Sequence, residues 1–151
     1  MSTDRPLRET SYGGVVIRTQ SPSGSGTGGD EVLVITPVGK RRVTGLPKGG
    51  PQPGESGEQT AAREVREETG VTATVREPLG DVNYWYRRGG RRVYKTVHFY
   101  LFDYVSGSTD DHDHEVEDAR WIPLAEARTA LSYPGERALI ERALAKSAPG
   151  R

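Results

Sequence analysis

The stretch from Gly49 to Val71 constrains this chain more than any other: a Gly/Pro-rich loop, Gly49-Gly-Pro-Gln-Pro-Gly54, runs straight into a helical pattern. Ser56 with Gln59 three residues on is a capping-box pair that satisfies free amide donors at a helix start. Gly70 stands where a left-handed residue closes a helix. The spacing therefore predicts a helix over 57–69. Ala61, Ala62, Val65 and Thr69 fall on a face that would pack on a sheet. Glu64, Glu67 and Glu68, at i, i+3 and i+4, share the neighbouring face, with Cβ atoms about 5–6 Å apart.

Like charges so spaced cost an isolated helix about 0.2–0.5 kcal/mol per pair. The triad thus calls for a counter-charge that the helix itself is not expected to contain, Arg63 reaching only Glu67 at i+4. Clustered hard oxygen ligands suit Mg2+ or Mn2+, which take a few carboxylates and leave other positions to water and phosphate oxygens. A solvated acidic helix is the bland reading, and the full spacing overturns it. The stretch reads G-x5-E-x7-R-E-U-x-E-E-x-G-U with U apolar, through Gly49, Glu55, Arg63, Glu64, Val65, Glu67, Glu68, Gly70 and Val71.

Without a departure, that pattern resembles the signature of the Nudix hydrolases, enzymes that cleave a nucleoside diphosphate linked to another group. The resemblance implies an α/β/α sandwich with a mixed sheet, a Mg2+ or Mn2+ cofactor, and metal ligation by Glu64, Glu67, Glu68 and the carbonyl of Lys48. It makes Glu64 a candidate base, places Glu55 at the edge of the site for a further ion, and has Arg63 orient Glu67 or Glu68. A base outside the helix is common in the family. Glu115, six residues before Trp121 in the acidic loop 110–118, resembles one in placement, with Glu117 as its alternative.

Leu46-Pro-Lys-Gly49, Asn83-Tyr84, Lys95-Thr-Val-His-Phe-Tyr-Leu101 and the Glu115/Trp121 pair resemble the diadenosine tetraphosphate hydrolase branch. In that reading Tyr84 stacks on a base, Tyr86 packs as core or rim, and Arg41, Arg42, Lys48 and Lys95 face phosphates. His98 is a strand histidine with phosphate donation as its other role. The same Leu-Pro-Lys-Gly opening also resembles enzymes of oxidised nucleoside triphosphates. A nucleotide-sensing module without catalysis is the alternative of another class, and the intact glutamates argue against it.

The remaining chain supplies a frame. Its 151 residues suit one domain, expected over 11–146 with loose tails at 1–10 and 147–151. Tyr12 to Arg18 and Glu31 to Thr36 read as paired strands around a Ser/Gly connection, 20–30, that lacks the G-x-x-x-x-G-K-[ST] of a phosphate loop. Segments 71–75 and 79–86 read as extended, 87–92 as a basic hairpin tip, and 93–105 as a central strand apolar on both sides. A strand at 120–122 and helices over 124–131 and 135–146 follow. Lys+Arg and Asp+Glu both number 21, so no nucleic acid polymer is expected as partner of this neutral chain, while the resemblance implies a nucleoside polyphosphate substrate. With no cysteine, no apolar leader in 1–10 and no membrane-length apolar run, the expected setting is cytoplasmic with no membrane partner.

Overall fold

The structure, a computed structural model, describes residues 5–20 and 29–147. In chain order these form β1 (Leu7–Gln20), β2 (Gly29–Pro37), β3 (Lys48–Gly49), α1 (Gly57–Thr69), β4 (Val71–Arg88), β5 (Arg91–Gly107), β6 (Val116–Pro123), α2 (Leu124–Ala130) and α3 (Pro134–Ser147), with a single 3-10 turn at Thr109–Asp111. The sheet runs β4-β5-β1-β2-β6, and β3 adds to β1 beside β2. Among the described residues only β1 and β5 pair in parallel, in register from Leu7 with Val93 to Ile17 with Asp103. The other pairings are antiparallel, which makes the sheet mixed.

Period-two alternation sends successive side chains to opposite faces, and both faces are apolar in the middle strands. Val16, Leu33 and Phe102 meet Ala61 and Val65 of α1 on one face. Val15, Val34, Val97, Phe99 and Leu101 meet Leu131, Leu139 and Ile140 around α2 and α3 on the other. Burying each such valine, leucine or phenylalanine contributes about 1.5–3 kcal/mol, so the expected α/β/α sandwich is held by two cores that share one sheet.

Helix α1 begins and ends where the sequence places it. The Ser56 hydroxyl accepts from the Gln59 amide at 3.1 Å and the Gln59 side chain accepts from the Ser56 amide at 2.9 Å. Gly70 closes the helix at φ 82°, its N–H reaching the Arg66 carbonyl at 2.8 Å.

Three expectations change. Residues 7–10 are not a tail but the start of β1, because pairing with Val93–Thr96 satisfies their backbone. The two extended segments of 71–86 are one strand, β4, whose three register shifts between Thr72 and Gly80 absorb the breaks in its pattern. Helix α3 continues through Ser147, expected as tail. Most of the Ser/Gly connection, 21–28, lies outside the described residues.

Glu9 shows how the early start of β1 is secured. It accepts from the Tyr86 hydroxyl and the Arg88 guanidinium, and the Arg88 contact holds its carboxyl down at about 2, from an ordinary 4.5. A depressed carboxylate stabilises the fold above its unfolded pKa and loses that contribution as pH falls through the folded one. Urea denaturation should show Glu9→Gln less stable than wild type at pH 7, with the gap closing between pH 4.5 and 2. A gap independent of pH would contradict the ion pair.

Candidate active site

The acidic face of α1 meets the backbone at β3. Tyr12 pairs with Gly49 and Gly13 with Lys48, and the Gly14 amide donates to the Pro47 carbonyl at 3.1 Å, fixing the Leu46-Pro-Lys-Gly49 segment on β1. A Cβ at Gly49 would lie 2.1–2.4 Å from the Glu64 carboxyl atoms. Only glycine lets this carboxylate lie on the strand. One residue earlier, the Lys48 amide donates to Glu68 Oε1 at 3.0 Å.

Arg63 organises the rest. Its guanidinium has five N–H groups, and five contacts use them: Glu55 Oε2 at 2.7 Å and Oε1 at 3.1 Å, Glu64 Oε2 at 3.1 Å, Glu67 Oε1 at 3.0 Å and the Gly50 carbonyl at 2.9 Å. The counter-charge missing from the sequence reading is therefore in the helix itself. Arg63 holds Glu64 and Glu67 but not Glu68, whose partner is the Lys48 amide. With 13% of its side chain exposed, Arg63 is a positioning residue. Glu55 is not free for a further ion: besides Arg63 it takes the Gln52 amide and the Thr60 hydroxyl, each at 2.9 Å. The Arg63 contact pulls its carboxyl down to about 2.

The inner glutamates respond oppositely. Burial raises the Glu64 carboxyl, Glu67 adding to the effect and Arg63 opposing it. Burial pushes Glu68 up to about 8 against the Lys48 amide bond, with the Glu64 charge reinforcing the rise. Of the segment 110–118, expected as a loop, residues 116–118 belong to β6; residues 112–115 fold against this end of α1, the Asp113 amide donating to the Glu67 carbonyl at 3.0 Å. Glu115 is exposed, its amide held by the Asp113 carboxylate at 3.0 Å, and its charge acts on Glu64. Glu117 turns away and lies 3.9 Å from Arg41.

Among the described residues, no three carboxylate or histidine side chains converge as a ready metal cage. Glu64 and Glu67 bond Arg63, and Glu68 bonds the Lys48 amide. The donor set still fits a hard divalent cation. It is all oxygen, it lies on one helix face beside the Lys48 main chain, and a cation there offsets the repulsion between buried carboxylates.

On the far side of β3 opens a cavity of about 390 Å³ lined by Lys40, Lys48, Tyr84, Trp85, Tyr86, Lys95 and Tyr133. The Lys48 ammonium lies 5.5 Å from the Tyr84 ring centre, and Tyr133 meets Tyr84 edge-on at 5.4 Å. Burial lowers the Lys95 ammonium, Lys48 adding to it, so two cations share a place that an anion would relieve. Lys48, Tyr84 and Lys95 are thus together as the sequence suggests. Arg42 is not with them; it lines a neighbouring open groove with Arg41 and Glu117. His98 points to the opposite face and pairs with Asp81 at 2.7 Å.

Sequence reasoning missed Lys40, Tyr133 and Glu136. Glu136 is fully buried, accepting from the Leu46 amide at 3.1 Å and from the Tyr84 hydroxyl, and so ties α3 to the segment carrying Lys48. Nothing in its surroundings on α3 sets it apart from a surface glutamate. Tyr133, directly before Pro134, was the more readable signal.

A mixed sheet between helices, with a capped acidic helix abutting a glycine strand, defines an α/β protein with a carboxylate-rich helix face beside a lysine-lined cavity. The profile of the NUDIX domain matches residues 20–143, and the chain belongs to the Nudix hydrolase family. It is 41% identical over 143 residues to the protein named MutT4 of Mycobacterium tuberculosis, covering 91% of this chain and 55% of that protein. It is 33% identical over 132 residues to an 8-oxo-(d)GTP phosphatase of Mycolicibacterium smegmatis, covering 86% and 39%. The chain thus spans about half or less of these relatives. In fold it is similar to a C. elegans Ap4A hydrolase (TM-score 0.67, 22% identity, 91% and 96% covered). The NUDIX domain of Shewanella oneidensis NrtR, complexed with ADP ribose, is equally similar (TM-score 0.67, 22% identity, 94% and 90% covered).

Gly49→Ala should displace Glu64 and weaken Mn2+ binding by about 10–100-fold, as loss of a ligand-orienting contact does, with the circular dichroism spectrum kept. Unchanged Mn2+ affinity in titration calorimetry would show that Glu64 is not held for an ion.

Proposed function

We propose that this chain is a divalent-metal-dependent pyrophosphohydrolase of nucleoside polyphosphates, with a dinucleoside polyphosphate such as diadenosine tetraphosphate as its substrate class. The observation that carries the reading is the junction at Lys48. Its main chain bonds Glu68 of the acidic helix, while its side chain enters the cavity with Lys95 and Tyr84. A polyphosphate with its base beside Tyr84 and Tyr133 and its phosphates on Lys48 and Lys95 extends toward Glu64, Glu67 and Glu68. Nudix hydrolases generally use divalent ions, and Mg2+ or Mn2+ held by those carboxylates and the Lys48 carbonyl would neutralise phosphate charge and acidify a water. Water oxygen adds to a phosphorus, the bridging P–O bond breaks, and a nucleotide leaves with the bond's electrons. Glu115, at the solvent side of Glu64, is our first choice to take the water's proton, with Glu64 as the second.

A second substrate class, oxidised nucleoside triphosphates, is favoured by the relative named an 8-oxo-(d)GTP phosphatase. Hydrolysis of diadenosine tetraphosphate, 8-oxo-dGTP, dGTP and ADP-ribose with Mg2+ or Mn2+, products resolved by chromatography, separates the readings. ATP plus AMP from the dinucleotide is the expected result, and a strong preference for 8-oxo-dGTP selects the second class. Nucleotide binding without turnover of any of the four would make the chain a sensing module. In the active case Glu67→Gln and Glu68→Gln should each lower kcat on the order of 10²–10³-fold with melting temperature little changed. Full activity in either variant would remove that residue from the metal site.

A further inference from the structure

The sheet end that carries the cavity has a second face. Strand pairing sets Arg87 opposite Arg92, Trp85 opposite Tyr94 and Asn83 opposite Thr96, and puts Arg8 and Thr10 beside Tyr94 and Thr96 on the third strand. Tyr84, Tyr86 and Lys95 alternate into the cavity, which Trp85 borders; by the same alternation the residues of this second set belong to the other side of the sheet, that on which Tyr100 and Phe102 pack against α1. The helix ends short of them. Trp85 is 56% exposed, and Arg8, Asn83, Arg87 and Arg92 are exposed as well.

These side chains form a continuous string. The Arg8 guanidinium lies 5.3 Å from the Tyr94 ring centre, the Tyr94 and Trp85 rings are 4.7 Å apart, and the Arg92 guanidinium lies 5.4 Å from the Trp85 ring. At about 4.8 Å per strand, the string crosses roughly 10 Å of open sheet. Its surroundings are basic, with Arg87 above it. Asp81, the carboxylate further down this face, is paired with His98.

We propose that this face binds single-stranded nucleic acid, its bases stacked on Trp85 and Tyr94 and its phosphates met by Arg8, Arg87 and Arg92. Exposed aromatic rings on a sheet take unstacked bases, each contributing about 1–3 kcal/mol, and arginines contribute by stacking and by charge. A duplex keeps its base faces inside and cannot use the rings. The neutral net charge, which argues against a polymer partner, averages over the whole chain, whereas Arg87 and Arg92 stand opposite each other at the hairpin end of this face; Arg88 alternates to the other face and pairs with Glu9. The rings lie on the sheet face opposite the Lys48–Lys95 cavity, the face on which α1 packs.

Fluorescence anisotropy of a labelled single-stranded RNA of about twelve nucleotides, in EDTA, tests the site without any dependence on hydrolysis. Between about 50 and 200 mM salt the expected slope of log K against log salt is about −2, from three phosphate contacts at about −0.7 each. Trp85→Ala should weaken binding about tenfold or more, Arg8→Ala should reduce the slope by roughly 0.7, and Lys48→Ala should change nothing. Melting curves establish that each variant is folded, and the exposed Arg8 gives a reading even if Trp85→Ala does not fold. No salt-dependent binding by the wild type would overturn the proposal. So would loss in Lys48→Ala with retention in Trp85→Ala, which places the strand in the cavity. Sedimentation showing that Arg8→Ala or Trp85→Ala converts a dimer to a monomer, without RNA binding, would make the face a contact between copies and would also overturn it.

Discussion

The site depends on one guanidinium. Three glutamates on one face of a helix repel one another, and two of them are partly or largely buried, which disfavours their charged forms. Arg63 offsets this from inside the same helix. Its N–H groups all go to acceptors: the two Glu55 oxygens, Glu64, Glu67 and the Gly50 carbonyl. Planarity matters here, because a fixed fork can span a loop and two helix turns at once where an ammonium offers a single centre. Glu55 is then best understood as the anchor of Arg63. It is also bound by the Gln52 amide and the Thr60 hydroxyl, so its position is set by the loop and the helix start together.

The strand β3 converts this local network into a site. It has only two residues, yet each serves the glutamates differently: Gly49 by lacking a Cβ, Lys48 by its amide. Pairing with Tyr12 and Gly13 makes it part of the sheet, while buried Glu136 holds Leu46 from the helix on the other side. Elements from both layers of the sandwich therefore fix a single strand edge, which aligns the acidic face on one side with the lysine pocket on the other. This is what the parallel pairing of β1 with β5 accomplishes in function: it brings Tyr12 and Gly13 next to His98 and Phe99, and with them Tyr84 and Lys95 within reach of Lys48.

Much of this was legible in the residues because it is local. The capping box at Ser56, the left-handed Gly70 and the shared face of Glu64, Glu67 and Glu68 all follow from helical spacing, and β5 announced its central place by being apolar on both sides. What escaped was tertiary. Spacing within α1 shows Arg63 reaching Glu67, but Glu55 and Gly50 come to it only when the loop folds back. Glu136 has the sequence context of a solvated helix residue, and its burial depends on Tyr84 and Leu46 arriving from distant strands. That Arg42 lies outside the lysine cavity escaped for the same reason: a run of basic residues tells that anions are attracted but not which of them share a cavity. Residues 7–10 carry a polar pattern because their stabilisation comes from ladder pairing and the Glu9 contacts rather than from burial.

The central claim is that the carboxylates held by Arg63 and β3 form the metal site. Anomalous diffraction from crystals grown with Mn2+ tests it most directly. The account predicts a peak within about 2.5 Å of carboxylate oxygens of Glu64 and Glu68, or Glu67, and of the Lys48 carbonyl, with the Arg63–Glu55 contact intact. A peak held instead by the acidic residues of loop 110–118, with Glu64, Glu67 and Glu68 untouched, would contradict it.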